Sequence, residues 1–200
     1  MRHGTGMARG PRWRVAILDD HERSRAALRD SVSAAGGEVV GEALRCADAV
    51  PLIQRASPDA AIFAVGLPDG DGIEAAAHVI ATTDCPVVLF TSHTGDALVD
   101  RARAAGVMAY LLKPLRPAEL APALDLAIAR FTENRRLRQT LEGRKVIERA
   151  KGTLMARLGL TEDEAFRRLR RAAMDRRKPM VEIARALLVS ESVARGVETE

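Results

Sequence analysis

The sequence predicts an α/β domain with a doubly wound, five-stranded parallel sheet, followed by a long helix and an all-α domain of three helices. Three observations predict this order. Five short apolar runs alternate with helical patterns up to residue 116, which is typical of a parallel sheet covered by helices. From Pro117 onward, apolar residues recur only at helical spacing. The charge also changes sign, because residues 1–129 hold 13 Lys and Arg against 16 Asp and Glu, and residues 130–200 hold 18 against 11.

The apolar runs have the length of strands, and helical patterns or turn residues bound each of them. The predicted strands are Arg14–Leu18, Val39–Val40, Ala60–Val65, Val87–Phe90 and Met108–Leu112. The predicted helices between them are Ala26–Val32, which stops at Gly36 and Gly37, then Ala49–Ala56, Gly72–Ala81 and Leu98–Ala105. Asp48 is the predicted N-cap of the second helix. A further helix begins near Pro117, because proline is tolerated in a first turn.

Polar side chains follow three of these strands at the point where each strand ends. Asp19 and Asp20 follow the first strand, Thr91 follows the fourth, and Lys113 follows the fifth. Ligands of such sheets bind at the carboxyl ends of the strands. Carboxylates are suitable ligands for Mg²⁺, and an ammonium or a hydroxyl can bind phosphoryl oxygens. Asp19 and Asp20 are therefore a candidate, vestigial Mg²⁺ site, and no other cofactor is expected.

With these residues the sequence resembles the response-regulator receiver family, which has a CheY/flavodoxin-like fold. The resemblance covers residues 12–127. The motifs that carry it are Ile17–Asp20, Pro58-Asp59, Leu67–Gly72, Pro86–Ser92 and Tyr110–Pro114. It implies that the receiver-site residues Asp19, Asp20, Thr91, Tyr110 and Lys113 are retained, and that the Lys113–Pro114 peptide bond is cis.

One departure from the receiver pattern concerns the phosphoacceptor aspartate. The family places it six residues after the proline that opens strand three and four residues before the next proline. Counting from Pro58 and back from Pro68 gives Ala64 both times. A methyl group cannot form an acyl phosphate, so we expect no enzymatic activity and a pseudo-receiver. A natural loss and a deliberate Asp-to-Ala change both remain open.

The segment after the receiver-like part predicts a long helix over residues 117–141. Its apolar stripe consists of Leu120, Leu124, Ile128, Phe131, Leu137 and Leu141. The spacing is typical of a coiled coil. It is consistent with a plain linking helix and with a parallel coiled coil that forms a homodimer. Gly143 is expected to interrupt the pattern.

Three further helices are predicted after this glycine. The first runs from Arg144 to Leu158 and is ended by Gly159. Thr161 and Glu164 have the spacing of a capping box that starts the second. Pro179 marks the start of the third, which is expected to end before Ser190. The expected core consists of Ile147, Leu154, Phe166, Leu169, Ile183 and Leu187. The segments outside the domains are a disordered tail at residues 1–11 and a second tail at residues 196–200.

Residues 134–195 resemble the ANTAR domain, the RNA-binding output of the AmiR/NasT antitermination regulators. The motifs that carry the resemblance are Ile147–Met155, Gly159, Glu164–Phe166, Leu169-Arg170, Ala173-Met174 and Ile183-Ala184. It implies a two-component regulator that binds paired stem-loops in a nascent leader transcript and lets transcription continue. The predicted RNA contacts are Arg144, Arg149, Ala150, Lys151, Gly152, Met155, Arg168, Arg171, Arg176 and Arg177.

Two of these expectations can be checked in a structure. Gly152 lets either an RNA backbone or a neighbouring helix approach closely, and both explanations stay open. Phe166, the single aromatic residue after Phe131, is assigned to the core, so recognition by base stacking is not expected.

Other classes of protein are less consistent with the sequence. The segment Thr161–Val193 is also consistent with a helix-turn-helix that binds DNA. Its recognition helix would begin near Ser190. The chain after Gly196 would then be too short to fill a major groove. The third alternative is a module that only binds a sensor protein or histidine kinase.

No apolar run of the sequence is long enough to span a membrane. Cys46 and Cys85 lack metal-ligand spacing, which indicates a reducing compartment and a cytoplasmic location.

Overall fold

A computed structural model of the chain describes residues 10–93 and 95–197, with side chains up to residue 192. The predicted tail at residues 1–11 therefore lies almost wholly outside the described residues. Contacts divide the chain into two compact units that meet in sequence at Thr132 and Glu133. Each unit is described by itself.

The first unit contains the predicted sheet. Its main strands are β1 (Arg14–Leu18), β2 (Glu38–Ala43), β3 (Ala60–Ala64), β6 (Val87–Thr91) and β7 (Ala109–Leu112), and a short antiparallel pair is formed by β4 (Gly66–Leu67) and β5 (Gly70–Asp71). The five main strands are parallel in the order β2-β1-β3-β6-β7, which confirms the prediction.

Helices cover both faces of this sheet. They are α1 (Glu22–Ala34), α2 (Ala49–Ala56), α3 (Gly72–Thr82), α4 (Asp96–Ala104) and the first part of α5 (Pro117–Leu158), and a 3-10 turn at Cys46–Asp48 precedes α2. Asp48 occupies the N-cap position of α2, but its side chain forms no capping hydrogen bond. The predicted capping contact is therefore wrong.

Alternate residues of the buried strands form two cores, because neighbouring side chains of a strand point to opposite faces. Ala61 and Phe63 belong to one core. Ile62 belongs to the other, together with Leu120 and Leu124 of α5. The first half of the predicted coiled-coil stripe is thus committed to the core of the first unit.

The second unit contains the remainder of α5, together with α6 (Glu162–Arg176) and α7 (Met180–Val197). The expected break at Gly143 is absent, since α5 continues through it. A glycine inside a helix costs only about 1 kcal/mol relative to alanine. A side chain at Gly143 would come within 3.6 Å of Val181 Cγ2, so the glycine lies close to α7.

The helix ends of the second unit follow the prediction in most respects. Gly159 follows α5 with a φ of +64°, as expected of a glycine after a helix. Thr161 and Glu164 form the predicted capping box. α7 begins directly after Pro179, but it continues through Ser190 to Val197. Its predicted end before Ser190 is wrong, and two residues of the predicted C-terminal tail belong to this helix.

The core of the second unit includes Leu154, Leu169 and Ile183, with Ile147 and Leu187 packed against it. The sequence assigned Phe166 to this core, and that assignment is wrong. Its ring is 39% exposed. Ala150, Ala165 and Ala184 are fully buried, so small side chains let the helices approach without a large aromatic ring between them.

Candidate nucleic-acid interface and receiver site

Asp19 lies directly after β1 and is completely buried. One carboxylate oxygen accepts a hydrogen bond from Lys113 Nζ at 2.6 Å. The other accepts one from the backbone N–H of His21 at 2.8 Å. The guanidinium of Arg25 donates to the Asp19 carbonyl oxygen at 2.7 Å. Both carboxylate oxygens are thus bonded within the protein, which offsets the cost of burying the charge.

Asp19, Asp20 and His21 are the cluster that a cation would meet, since one ligand atom from each lies within 4.8 Å of the others. Asp20 Oδ1 is 2.7 Å from His21 Nδ1. A Mg²⁺ ion prefers carboxylate oxygens that are free to coordinate it. In this arrangement the Lys113 ammonium already occupies one oxygen of Asp19. The donor set therefore does not fit a Mg²⁺ site well, and the predicted magnesium site remains a prediction.

Ala64 is the last residue of β3 and is buried. Its methyl group lines a cavity of about 370 Å³ together with Thr91 and Lys113. A Cβ at Gly72 would collide with the Ala64 carbonyl oxygen, so the backbone is held close to α3 here. Two of the retained receiver residues, Thr91 and Lys113, thus lie at this cavity, and Ala64 contributes no side-chain oxygen to it.

The other retained receiver residues divide into two sets. Thr91 is buried, and its hydroxyl donates to the His93 carbonyl oxygen at 3.2 Å and accepts from the His93 N–H at 3.1 Å. Tyr110 is 45% exposed and does not line the cavity. The Lys113–Pro114 bond is cis, as the resemblance implied.

Lys151, a predicted RNA contact, lies at the junction of α5 and α6 with a side chain only 9% exposed. Its ammonium is 2.8 Å from Glu148 and 2.6 Å from Glu162. These two hydrogen-bonded carboxylates, Glu148 first, raise the pKa of Lys151. Lys151 therefore ties the two helices together. Ala150, also a predicted contact, is fully buried, so the prediction of direct RNA contact is wrong for Ala150 in this conformation.

Gly152 lies on the exposed side of the same turn of α5. Apart from its neighbours along α5, no atom of the described residues would come within 4 Å of a Cβ at this position, so packing against another described helix does not account for the glycine. Gly152 and Arg149 line an open groove of about 530 Å³ that α7 borders with Leu188 and Ser192. The buried Glu191 of this groove is ion-paired with Arg157.

Every lysine of the chain is ion-paired. The pairs are Lys113 with Asp19, Lys145 with Glu142, Lys151 with Glu148 and Glu162, and Lys178 with Glu182. The lysines thus contribute little uncompensated charge to the surface of the second unit. Its positive field comes from arginines.

Unlike the lysines, four arginines on α6 or directly after it form no ion pair with any described residue. Arg168, Arg171, Arg176 and Arg177 are exposed, and no hydrogen bond or ion pair of their side chains is found in the part of the chain that the structure describes. Arg168 and Arg171 line an open groove of about 710 Å³, together with Arg167. Arginine forks bind phosphate oxygens in pairs of hydrogen bonds, so this helix can bind a polyanion.

The remaining two predicted contacts, Arg144 and Met155, also lie on α5. Arg144 is exposed, and its side chain has no partner among the described residues. Met155 is 38% exposed. Sequence reasoning missed the exposed side chain of Phe166 on α6. The signal that could have found it is helical position, because Phe166 lies at the edge of the stripe formed by Ala165, Leu169 and Ala173.

A receiver fold joined in sequence to a small basic helical unit is the organisation of a response regulator with a nucleic-acid-binding output. Two family models match the chain. The "Response regulator receiver domain" matches residues 15–125, and the "ANTAR domain" matches residues 135–188. The chain belongs to the response regulators that carry an ANTAR domain, which is an RNA-binding antitermination domain.

Several known proteins are similar to this chain. It is 41% identical over 182 residues to the transcriptional regulatory protein PdtaR of Mycobacterium tuberculosis, which covers 88% of this chain and 89% of that protein. It is 49% identical over 64 residues to the nitrate regulatory protein of Klebsiella oxytoca, which covers 32% of this chain and 16% of that protein.

Solved structures resemble the receiver part. The signal receiver domain of a modulated diguanylate cyclase from Desulfovibrio desulfuricans G20 matches with a TM-score of 0.57 and 27% identity, over 61% of this chain and 98% of that one. A two-component response regulator of the LuxR family from Aurantimonas sp. SI85-9A1 matches with a TM-score of 0.54 and 32% identity, over 58% of this chain and 85% of that one. Among the described residues, no helix has both the length and the apolar character needed to cross a bilayer.

Proposed function

We propose that this protein is a cytoplasmic transcription antitermination regulator that binds stem-loop RNA in nascent leader transcripts. The observation that carries the proposal is the set of exposed arginines on α6 and directly after it, which have no partner in the described part of the chain, whereas the lysines are all ion-paired. Phosphate contacts supply most of the affinity of such a surface and make it dependent on salt. The ANTAR match supports RNA as the polyanion.

The alternative of a DNA-binding helix-turn-helix is less well supported. It needs a separate recognition helix that starts near Ser190. In the structure α7 is one helix from Met180 to Val197, with Ser190 inside it. Within the described residues, no turn near Ser190 separates a recognition helix from the rest of α7.

We further propose that the receiver-like domain signals without phosphoryl transfer and that the protein is not an enzyme. Ala64 offers no oxygen to a phosphoryl group, and Lys113 is bonded to Asp19.

Control of RNA binding would then act through dimerisation, or through binding to a sensor protein or histidine kinase. Leu137 and Leu141 are 56% and 57% exposed on α5, which supports a short helix–helix contact between two copies. A dimer would bind paired stem-loops bivalently, which raises apparent affinity.

The proposal is tested with the full-length chain and a library of RNA hairpins that have randomised loops. Selected hairpins are then compared with DNA hairpins of the same sequence and with duplex DNA, by fluorescence anisotropy at one salt concentration. We expect enrichment of particular loops and tighter binding of RNA than of either DNA. Equal binding of the three nucleic acids, or no enrichment, would contradict RNA recognition.

A further inference from the structure

Phe166 is exposed on a helix that is otherwise lined with arginine. It is the single aromatic residue after Phe131 in the sequence, and 39% of its surface is accessible. The core of the second unit is complete without it, because Ala165, Leu169 and Ala173 fill the buried side of α6. Exposing an aromatic ring forfeits the free energy of burying it. The ring is therefore available to a ligand.

The residues around this ring are positively charged. In an α-helix, residues three and four apart are neighbours on the surface. Arg170 is thus the neighbour of Phe166 one turn later, and its side chain has no partner among the residues that the structure describes. Arg167 follows Phe166 directly, and its Nε donates to the Asp163 carbonyl oxygen at 3.3 Å. That backbone contact leaves the terminal nitrogens of Arg167 free of any side-chain acceptor in the described part.

The nearby acidic residues offset only part of this charge. Glu162 is paired with Lys151, and the Glu164 carboxylate accepts from Thr161 in the capping box. Asp163 is exposed one turn before the ring. Against these stand four arginines within five residues of Phe166. An aromatic face beside an excess of arginine is the combination that single-stranded nucleic acid requires, because the ring stacks on a base and the guanidinium groups bind the phosphates on either side.

We propose that Phe166 is a base-stacking residue, on which one unpaired base of an RNA loop lies, with the flanking phosphates at Arg167 and Arg170. The proposal rests on the proposed RNA-binding function and adds to it the class of ligand at this position: an unstacked nucleobase rather than the paired stem. The base contact at Phe166 is thus added to phosphate contacts at Arg167 and Arg170 beside it and at Arg168 and Arg171 further round the helix.

The test uses the full chain and a hairpin enriched from the randomised-loop library, with 2-aminopurine placed at each loop position in turn. Phe166→Leu keeps an apolar side chain and removes the aromatic face, whereas Phe166→Tyr keeps the face. Val189→Ala is the control, because Val189 is 62% exposed on α7 and lies outside the proposed site.

We expect Phe166→Leu to bind the hairpin about 5- to 150-fold more weakly, in line with the range for one stacked base. Phe166→Tyr should bind like the unaltered protein, and Val189→Ala should have no effect. Binding should quench 2-aminopurine at one loop position, and Phe166→Leu should abolish that quenching. Since Phe166 lies outside the core, the melting temperature of both variants should stay close to that of the unaltered protein.

Several results would overturn the inference. Unchanged affinity of Phe166→Leu would do so, as would the absence of quenching at every loop position while RNA still binds. A changed oligomeric state of Phe166→Leu with unchanged RNA affinity would show that the ring contacts protein. If the unaltered chain enriches no hairpin, the proposed function itself fails, and that outcome is distinct from the others.

Discussion

Replacing Arg168 and Arg171 together by glutamine should change the salt dependence of RNA binding. Four arginines that were predicted as RNA contacts have no partner among the described residues: these two, Arg176 at the end of α6, and Arg177 directly after it. Each phosphate contact lowers log K by about 0.7 for a tenfold rise in salt on single strands. Four contacts per protomer give a slope of about −2.8, so fourfold more salt weakens binding about fiftyfold. The double variant should lose about 1.4 of that slope.

The measurement is fluorescence anisotropy of a labelled hairpin at five or more salt concentrations. The matched control is the double variant Lys145→Gln with Lys178→Gln, which removes the same two charges. Each of these ammonium groups is already paired, at 2.7 Å with Glu142 and at 3.6 Å with Glu182. We expect the slope of the control to change much less. Equal loss of slope in both double variants would show that only net charge matters, and would refute the assignment of contacts to α6.

The remaining predictions concern association, stability and the receiver site. Leu137→Ser with Leu141→Ser removes four leucines from a dimer, and at about 1 kcal/mol each the dimer should weaken roughly a thousandfold in sedimentation. Thr161→Ala removes a capping residue and should lower the free energy of unfolding by about 1 kcal/mol in urea. Hydrogen bonding from the Thr161 backbone lowers the pKa of Glu164, so the stability advantage over Glu164→Gln should be lost as the pH falls below about 4.5. Acetyl phosphate with Mg²⁺ should leave the intact mass unchanged, whereas Ala64→Asp, which supplies a third carboxylate, should gain a phosphoryl group.

Most of the sheet was predictable because β1, β3, β6 and β7 are short runs that are mostly apolar. The strand β3 (Ala60–Ala64) is buried along its whole length, and a run of this length with turn residues beside it favours a buried strand of a parallel sheet. Ala64 was located by counting residues between two prolines, which depends on sequence alone. The state of Lys113 was not predictable, because its pairing with Asp19 spans 94 residues in sequence and depends on how the strand ends meet.

The errors in the second unit have a common physical origin. The sequence shows which residues are apolar or charged. The burial of a side chain, however, depends on how far it lies from the centre of the face that its helix turns toward the core. Phe166 directly follows the buried Ala165 in sequence and is nevertheless exposed. Lys151 is positively charged as a contact residue would be, but it is paired with Glu148 on its own helix and with Glu162 on α6, and only the first pair follows from helical spacing. Such pairing between helices cannot be deduced from spacing within one helix.

The pairing of Lys151 changes the interpretation of the segment Ala150–Gly152. Ala150 is in the core, Lys151 bonds α5 to α6, and only Gly152 is open to a ligand. Three consecutive residues therefore have three different roles, since successive residues of a helix point about 100° apart. Loss of Lys151 would act on RNA binding indirectly, because α6 carries the free arginines and Lys151 fixes its first turn to α5.

Control of this protein must be consistent with the receiver site as it stands. A phosphoryl group adds negative charge that a lysine ammonium neutralises and a threonine hydroxyl hydrogen-bonds, and such contacts can reorganise a receiver. Here Thr91 is bonded to His93, Lys113 is bonded to Asp19, and Ala64 can accept no phosphoryl group. The two groups that would respond to a new charge are already satisfied within the domain. We therefore expect control by binding of another molecule, and the exposed Leu137 and Leu141 of α5 are the residues through which we propose that two chains associate.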